Sequence, residues 1–222
     1  PIDNNLSVQD FYGLKITVLS PSLEKLARSK CHWKDMEKQL KLKLGRTQDQ
    51  ADHSKTIEEL KHNRFSEDGD PWNGGAIAFL LEFKDVRCLF LSDSHPSVVV
   101  TSLNNLGYTF QSPLNPGLVQ LSHHGSKANN SPDMLDVIKA STFVVTGNGI
   151  TNRHPDKETL VRILARNHRE NEIDFVFPSE TDALKKLFAV DQNPFLRWGF
   201  RCVFPTNNTG FIKIQFLPII QN

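Results

Sequence analysis

Cysteine, net charge and long apolar runs are all scarce in this sequence. Three cysteines in 222 residues, Cys31, Cys88 and Cys202, are too few and too far apart for a disulfide framework or a paired-cysteine zinc site. We therefore expect a reducing compartment and a cytoplasmic location. The longest apolar run, Ala76–Leu81, is far shorter than the roughly 20 residues that cross a bilayer, so we expect no membrane segment in this chain.

The charge balance also limits the function. The sequence has 26 basic and 25 acidic side chains and a formal net charge of +1. This balance excludes a protein that holds nucleic acid by bulk positive charge, although it leaves room for a local basic patch. The first ten residues are polar and lack the basic start and apolar core of a secretion signal.

What is present suffices for one folded domain. Hydrophobic residues make up 38% of the chain and include 15 phenylalanines, enough for a substantial core. We treat residues 1–222 as one domain and expect residues 46–70, which are almost all polar or charged, to be a surface insertion. Because the chain starts with Pro1 rather than methionine, we expect it to be part of a longer polypeptide.

Strands and helices alternate along most of the chain, which predicts the α/β class. Two strands, 77–83 and 86–91, are separated by two polar residues and predict a hairpin, and 200–204 with 211–216 predict a closing hairpin. The other predicted strands are 14–19, 118–121, 143–146 and 172–177. The predicted helices are 23–44, 98–106, 132–140, 156–167 and 181–188.

Four chemically useful side chains follow predicted strands at regular spacing. Asp93 and His123 are 30 residues apart, as are His124 and His154, which is about the length of a βαβ unit. Right-handed crossovers bring the ends of parallel strands to one edge of a sheet, so these side chains are expected to converge. Carboxylate and imidazole ligands suit zinc, manganese or iron. The alternatives are a helix-capping aspartate and a surface pair of histidines.

Several motifs carry a resemblance to a known family. These are Leu89-Phe-Leu-Ser-Asp93, Leu121-Ser-His-His-Gly-Ser-Lys127, and Val145-Thr-Gly-Asn148 with Asn152-Arg-His-Pro155. They resemble the second half of metallo-β-lactamase-fold hydrolases, and most of all the soluble domain of bacterial DNA-uptake (competence) proteins. Trp72–Ile77 and Thr206–Ile214 are similar to further segments of that subgroup. The resemblance implies an αββα sandwich with a mixed sheet and flanking helices, of which this chain supplies mainly the second half.

The resemblance also implies site roles. Asp93 corresponds to a residue that bridges two divalent ions, zinc or manganese, and His124 corresponds to a metal ligand. His154 matches a histidine that either ligates metal or contacts the substrate phosphate and protonates the leaving group, and His123 or Lys127 is an alternative for steering or protonating the leaving oxygen. Ser92 stands where the family usually has glycine.

The family's first-half motif, His-x-His-x-Asp-His, does not occur in this sequence. The resemblance therefore implies a partner, the missing N-terminal half of the fold, on the same polypeptide or on a separate chain. The histidines outside the site are expected to be exposed; they are His32, His53, His62, His95 and His168.

The expected function is a metal-dependent hydrolase, a phosphodiesterase or nuclease that acts on nucleic acid through a two-metal-activated water. Within the same fold, hydrolysis of another ester, amide or thioester is an alternative. A rival of a different class is a degenerate, metal-free module that serves as an interaction or structural subunit of a larger assembly.

Overall fold

The protein is an α/β structure built on one mixed sheet. A computed structural model describes residues 2–5, 8–39, 52–166, 172–205 and 211–216. The strands are β1 (Val8–Phe11), β2 (Leu14–Ser20), β3 (Ala78–Phe83), β4 (Val86–Phe90), β5 (Leu118–Gln120), β6 (Thr142–Val144), β7 (Ile173–Val176) and β8 (Phe200–Val203). The helices are α1 (Leu23–Gln39), α2 (Ile57–Leu60), α3 (Pro71–Gly74), α4 (Pro96–Asn105), α5 (Pro132–Asp136), α6 (Lys157–Leu164), α7 (Asp182–Lys185) and α8 (Pro194–Trp198).

The eight strands lie in the sheet in the same order as in the chain. Neighbours from β1 to β4 are antiparallel, and neighbours from β4 to β8 are parallel. The β3–β4 hairpin is confirmed, with Phe83 opposite Val86 across the turn. The predicted mixed sheet with flanking helices is therefore confirmed, and the parallel half carries the strand ends that the sequence places together.

The two faces of the sheet differ in burial. On one face the side chains of Leu80, Leu89, Val119, Phe143 and Phe175 are at most 2% exposed, and they share one core with residues of α4, α5, α6 and α7. Side chains alternate between faces along a strand, so the residues between these point the other way. That second face is apolar across β2, β3 and β4, and most of its side chains there are only half-buried.

The segment expected as a polar insertion reaches the core. Residues 46–51 lie outside the described residues, but Ile57 and Leu60 are at most 2% exposed. The Asp52 carboxylate accepts hydrogen bonds from the main-chain N–H groups of Lys157 and Glu158, each at 2.8 Å, at the start of α6. Although its composition is mostly polar, this segment caps α6 and contributes two apolar side chains to the core.

The expected closing hairpin is not seen. β8 pairs in parallel with β7, and the described residues 211–216 form no strand, while 206–210 lie outside the described residues. Residues 211–216 alternate between exposed and half-buried, which indicates extended backbone. Alternation in the sequence does not specify which strand such a segment pairs with. The Phe216 ring lies against Gly117, where an added Cβ would come within 2.8 Å of it.

Several predicted helices are shorter than expected, and the predicted end of another falls on residues outside the described part. α5 ends at Asp136 and α7 at Lys185, while the predicted continuation of α1 to residue 44 falls outside the described residues. Across the described ranges, no helix combines the length and apolar character needed to span a bilayer.

Candidate functional site

Three histidines come together beyond the carboxyl ends of the parallel strands. His123 and His124 lie in a tight turn, Ser122–Gly125, directly after β5, and His154 follows the loop after β6. The His123 ring centroid is 5.2 Å from that of His154 and 6.0 Å from that of His124. The ring of His123 is therefore close to both of the others. We refer to these three residues as the histidine cluster.

Asp93 is held beside this cluster through the main chain. The Gln120 side-chain oxygen accepts hydrogen bonds from the N–H groups of Leu91 and Ser92, which fixes the end of β4 against β5. The Ser92 carbonyl accepts a hydrogen bond of 2.7 Å from the His123 N–H. Asp93 is half-buried, and its main-chain carbonyl accepts a 3.3 Å hydrogen bond from the Asn129 amide.

His123 is anchored by a partly buried polar network. Its Nδ1 lies 3.1 Å from Asn129 Oδ1, 3.3 Å from Asn73 Nδ2 and 3.8 Å from Asp68 Oδ2. Asp68 Oδ2 in turn accepts hydrogen bonds from the amides of Asn73 at 2.6 Å and Asn129 at 3.0 Å. The imidazole is thus held through Nδ1, so Nε2 is the ring nitrogen left for a ligand.

The Asp68 carboxylate is stabilised in its charged form. Burial by itself raises its pKa, but hydrogen bonds from Asn73, from the Asp70 N–H and from Asn129 outweigh burial, and the pKa is lowered overall. A carboxylate that stays ionised is a constant hydrogen-bond acceptor for the amides that surround His123.

His154 has a carboxylate partner of its own. Its Nδ1 lies 3.4 Å from Asp156 Oδ2, within ion-pair distance but without hydrogen-bond geometry. The same oxygen accepts a 2.8 Å hydrogen bond from the Lys127 N–H. Burial raises the pKa of Asp156, yet His154 and the Lys127 N–H more than offset this, so the pKa is lowered. Asp156 therefore faces His154 as an anion.

His124 and Lys127 lie on the outer side of the cluster. His124 is exposed, and its Nδ1 shares a 3.0 Å hydrogen bond with Thr146 Oγ1. Lys127 is half-buried, and its carbonyl accepts a 2.9 Å hydrogen bond from the guanidinium of Arg162. The structure thus brings His123, His124 and His154 together, with Lys127 linked to His154 through Asp156.

The backbone around the cluster is strained. Ser92, His123, His124, Asn152 and Arg153 all have positive φ, between 46° and 58°. Non-glycine residues adopt this left-handed conformation at a cost, and such residues concentrate at functional sites. Ser92 has a φ of 46°, a conformation that glycine adopts far more readily than serine.

Two glycines allow the strand-end loops to meet. A Cβ on Gly147 would lie 2.5 Å from the main-chain carbonyl carbon of His154, and a Cβ on Gly125 would lie 2.7 Å from Pro155 Cβ. Neither position has room for a side chain. These close approaches place the His154 loop against the turn that carries His123 and His124.

Sequence analysis missed most of the supporting residues. Asp68 lies in the expected insertion and Asp156 at a predicted helix start, and Asn129 carries no local signal. Asn73 and Thr146 occur only as parts of motifs that carry the resemblance. The side-chain partners of His123 come from positions 50 to 55 residues earlier in the chain and 6 residues later, a pattern with no sequence period.

The expectation that His95 is exposed is wrong. His95 is 2% exposed, and its Nδ1 accepts a 2.8 Å hydrogen bond from Lys25 Nζ while its Nε2 donates to the Asp70 carbonyl at 3.1 Å. Burial and the neighbouring Lys25 ammonium lower its pKa. Of the remaining histidines, His62 is exposed, His32 and His53 are half-buried, and His168 lies outside the described residues.

Within the part of the chain that the structure describes, no group of three or more His, Cys, Asp or Glu side chains is arranged to hold a metal ion. Asp93 and His124, the two predicted ligands, therefore do not form such a group with other described residues. The three cysteines are free, and Cys202 is buried enough that the pKa of its thiol is raised to about 12. No protein-family model, curated protein or solved structure matches the chain.

Proposed function

We propose that this chain is the second half of a metallo-β-lactamase-type hydrolase that cleaves phosphodiesters, with a nucleic acid as the substrate class. One observation carries the proposal: each ring of the histidine cluster has its Nδ1 next to a polar side chain of this chain, at 3.0 to 3.4 Å. Metal-binding histidines are typically hydrogen-bonded through the nitrogen that does not bind the ion, as His123 and His124 are here, while His154 Nδ1 has only the ion-pair contact with Asp156. The cluster also lies at the strand ends, where α/β proteins bind ligands.

The donor set suits a zinc or manganese site that is completed from elsewhere. Imidazole nitrogens and the Asp93 carboxylate are appropriate donors for these ions. When bound, two such ions supply an activated water and neutralise phosphate charge. Asp93 is the bridging candidate. The closeness of the His123 ring to both of the others supports it as a ligand alongside the predicted His124, and further ligands would come from the missing N-terminal half of the fold.

Two cations beside the cluster favour a phosphodiester over a neutral ester, amide or thioester. Arg153 is exposed and directly precedes His154, and the half-buried Lys127 follows the turn that carries His123. Cations at the rim attract and orient an anionic substrate. His154, held beside the Asp156 anion, is suited to bind a phosphate oxygen or to protonate the leaving oxygen.

The half-buried face of the sheet supports the αββα sandwich. Val18, Phe79 and Phe90 line this face, and the rings of Phe79 and Phe90 stack at 4.9 Å. Helices of the core cover the opposite face. An apolar sheet face usually packs against a second layer, and in this proposal that layer is the sheet of the missing half. A cytoplasmic location is part of the same proposal.

Metal binding to the 222-residue chain tests the site. Calorimetric titration with Zn²⁺ should detect binding that His123→Ala weakens about 10-fold or more, because an imidazole ligand is lost. The matched control is His62→Ala, an exposed histidine outside the cluster. Equal affinities in the two variants would refute the site.

Hydrolysis of bis(p-nitrophenyl) phosphate tests the reaction. It should be measured on the chain joined to, or mixed with, a first-half segment that carries the His-x-His-x-Asp-His motif. Asp93→Ala should abolish turnover without loss of the folded state, as monitored by circular dichroism. A folded protein that binds no metal ion and cleaves no phosphodiester would instead favour the degenerate module.

A further inference from the structure

Asn129 is the central member of the network around His123. Its side chain is fully buried, and its Nδ2 faces two acceptors, Asp68 Oδ2 at 3.0 Å and the Asp93 carbonyl at 3.3 Å. The amide oxygen is therefore directed to the other side, where it lies 3.1 Å from His123 Nδ1. The two acceptors fix the orientation of the amide.

This orientation determines which ring nitrogen of His123 carries the proton. A carbonyl oxygen only accepts hydrogen bonds, so Nδ1 has to carry the proton to bond to Asn129 Oδ1. The competing donor, Asn73 Nδ2, lies farther from Nδ1, at 3.3 Å, and already donates to Asp68 Oδ2 at 2.6 Å. Nδ1 is then protonated, and in the neutral ring Nε2 has the free electron pair. Asp68 maintains this arrangement because its carboxylate has no proton to donate and can only accept from the Asn129 amide.

We propose that Asp68 and Asn129 are positioning residues that hold His123 in the tautomer with the proton on Nδ1. The use of the electron pair on Nε2, for a divalent ion or a proton, rests on the proposed function, whereas the tautomer itself does not. Neither residue has to touch substrate or metal. They act through His123 alone.

A second buried histidine provides an internal control. His95 Nδ1 accepts from the Lys25 ammonium, and its Nε2–H donates to the Asp70 carbonyl. It is therefore held in the opposite tautomer, with the proton on Nε2. The hydrogen-bond partners of the half-buried His123 and of the buried His95 thus place the ring proton on opposite nitrogens.

The test is NMR of the 222-residue chain labelled with ¹⁵N in histidine, at about pH 8.5, where an ordinary imidazole is neutral. Two-bond correlations between ring nitrogens and ring protons identify the tautomer. In the unsubstituted protein we expect a proton on Nδ1 of His123 and on Nε2 of His95. In Asn129→Leu the oxygen acceptor is lost and Asn73 Nδ2, 3.3 Å away, is the donor left beside Nδ1, so the His123 proton should move to Nε2.

A double variant provides a rescue. Asp68→Asn combined with Asn129→Asp exchanges the carboxylate and the amide, so an oxygen acceptor again faces His123 Nδ1, and the Nδ1 proton should be retained. His95 should keep its Nε2 proton in every variant and thereby report an intact fold. Zn²⁺ affinity should fall about 10- to 100-fold in Asn129→Leu, as it does when other supporting residues of metal ligands are lost.

The outcomes separate the two proposals. An Nε2 proton on His123 in the unsubstituted protein or in the double variant overturns the positioning roles, as does a retained Nδ1 proton in Asn129→Leu. If Asn129→Leu no longer shows the Nε2 proton on His95, that variant has lost the fold, and the unsubstituted protein and the double variant decide the question. If the tautomers are as expected but no variant or parent binds Zn²⁺, the positioning roles stand and the metal-dependent function fails.

Discussion

Replacing Lys157 with methionine should strongly destabilise the protein. The Lys157 side chain is fully buried, and its Nζ donates at 2.6 Å both to Asp191 Oδ2 and to the Lys55 carbonyl. Methionine has a similar apolar length but no charge, so Asp191, whose side chain is 9% exposed, would stay buried without its cation. Loss of one partner of a buried ion pair costs about 3–5 kcal/mol.

That loss is large compared with typical stabilities of about 5–15 kcal/mol. With a urea m-value of about 3 kcal/mol/M, at the upper end for small proteins, the unfolding midpoint should fall by about 1–1.7 M. Asp191 Oδ1 also accepts a 2.8 Å hydrogen bond from the Ile57 N–H. Asparagine at 191 keeps an oxygen for this bond, so Lys157→Met/Asp191→Asn should recover much of the loss.

The assay is urea unfolding of the parent, both single variants and the double variant, followed by circular dichroism. The double-mutant cycle should give a coupling energy of about 2 kcal/mol or more. Lys185→Met, which removes a lysine from a surface pair with Glu180, is the control and should leave the midpoint nearly unchanged. A Lys157→Met midpoint equal to that of the control would refute the assigned role of the buried pair.

Three further predictions concern the site and its supports. Gly147→Ala should displace the His154 loop, because the new Cβ would lie 2.5 Å from its main chain; we expect a loss of about 1–3 kcal/mol in urea unfolding and weaker Zn²⁺ binding, and unchanged stability would contradict this packing. Asp52→Ala removes two hydrogen bonds at the start of α6 and should cost about 1–2 kcal/mol, measured the same way; a loss within error would show that the cap is dispensable. Asp156 has a lowered pKa in the folded state, so it contributes stability above the ordinary aspartate pKa of about 3.9 that is lost as pH falls through its folded pKa. The stability difference between the parent and Asp156→Asn should therefore be constant from pH 7 to about 5 and shrink below about 4, and a difference that grows on acidification would contradict the sign.

Local sequence patterns predicted much of the fold. The apolar runs of β2, β3 and β4 have clear ends, and the strand–helix alternation after β4 required parallel neighbours. Topology then brought His123, His124 and His154 to one edge. The convergence of residues that follow parallel strands is therefore predictable from sequence wherever short helices connect those strands.

The supporting network was not predictable because it depends on tertiary contacts. Asp68 and Asn129 are 61 residues apart and meet only after the sheet has formed. His95 looks polar and accessible in sequence, yet it is buried because Lys25 and a main-chain carbonyl satisfy both ring nitrogens. Likewise, the described residues 211–216 form no strand.

The identical order of strands in the sheet and in the chain has a consequence for assembly during synthesis. Each strand emerging from the ribosome finds its neighbour already made, so the sheet can grow at one edge and each addition closes only the loop just completed. The hydrogen bond between Asp52 and the start of α6 is different, since it joins residues 105 positions apart and cannot form until α6 has been made. During synthesis, residues 52–60 therefore cannot make this contact until β3 to β6 have been added to the sheet and α6 has followed.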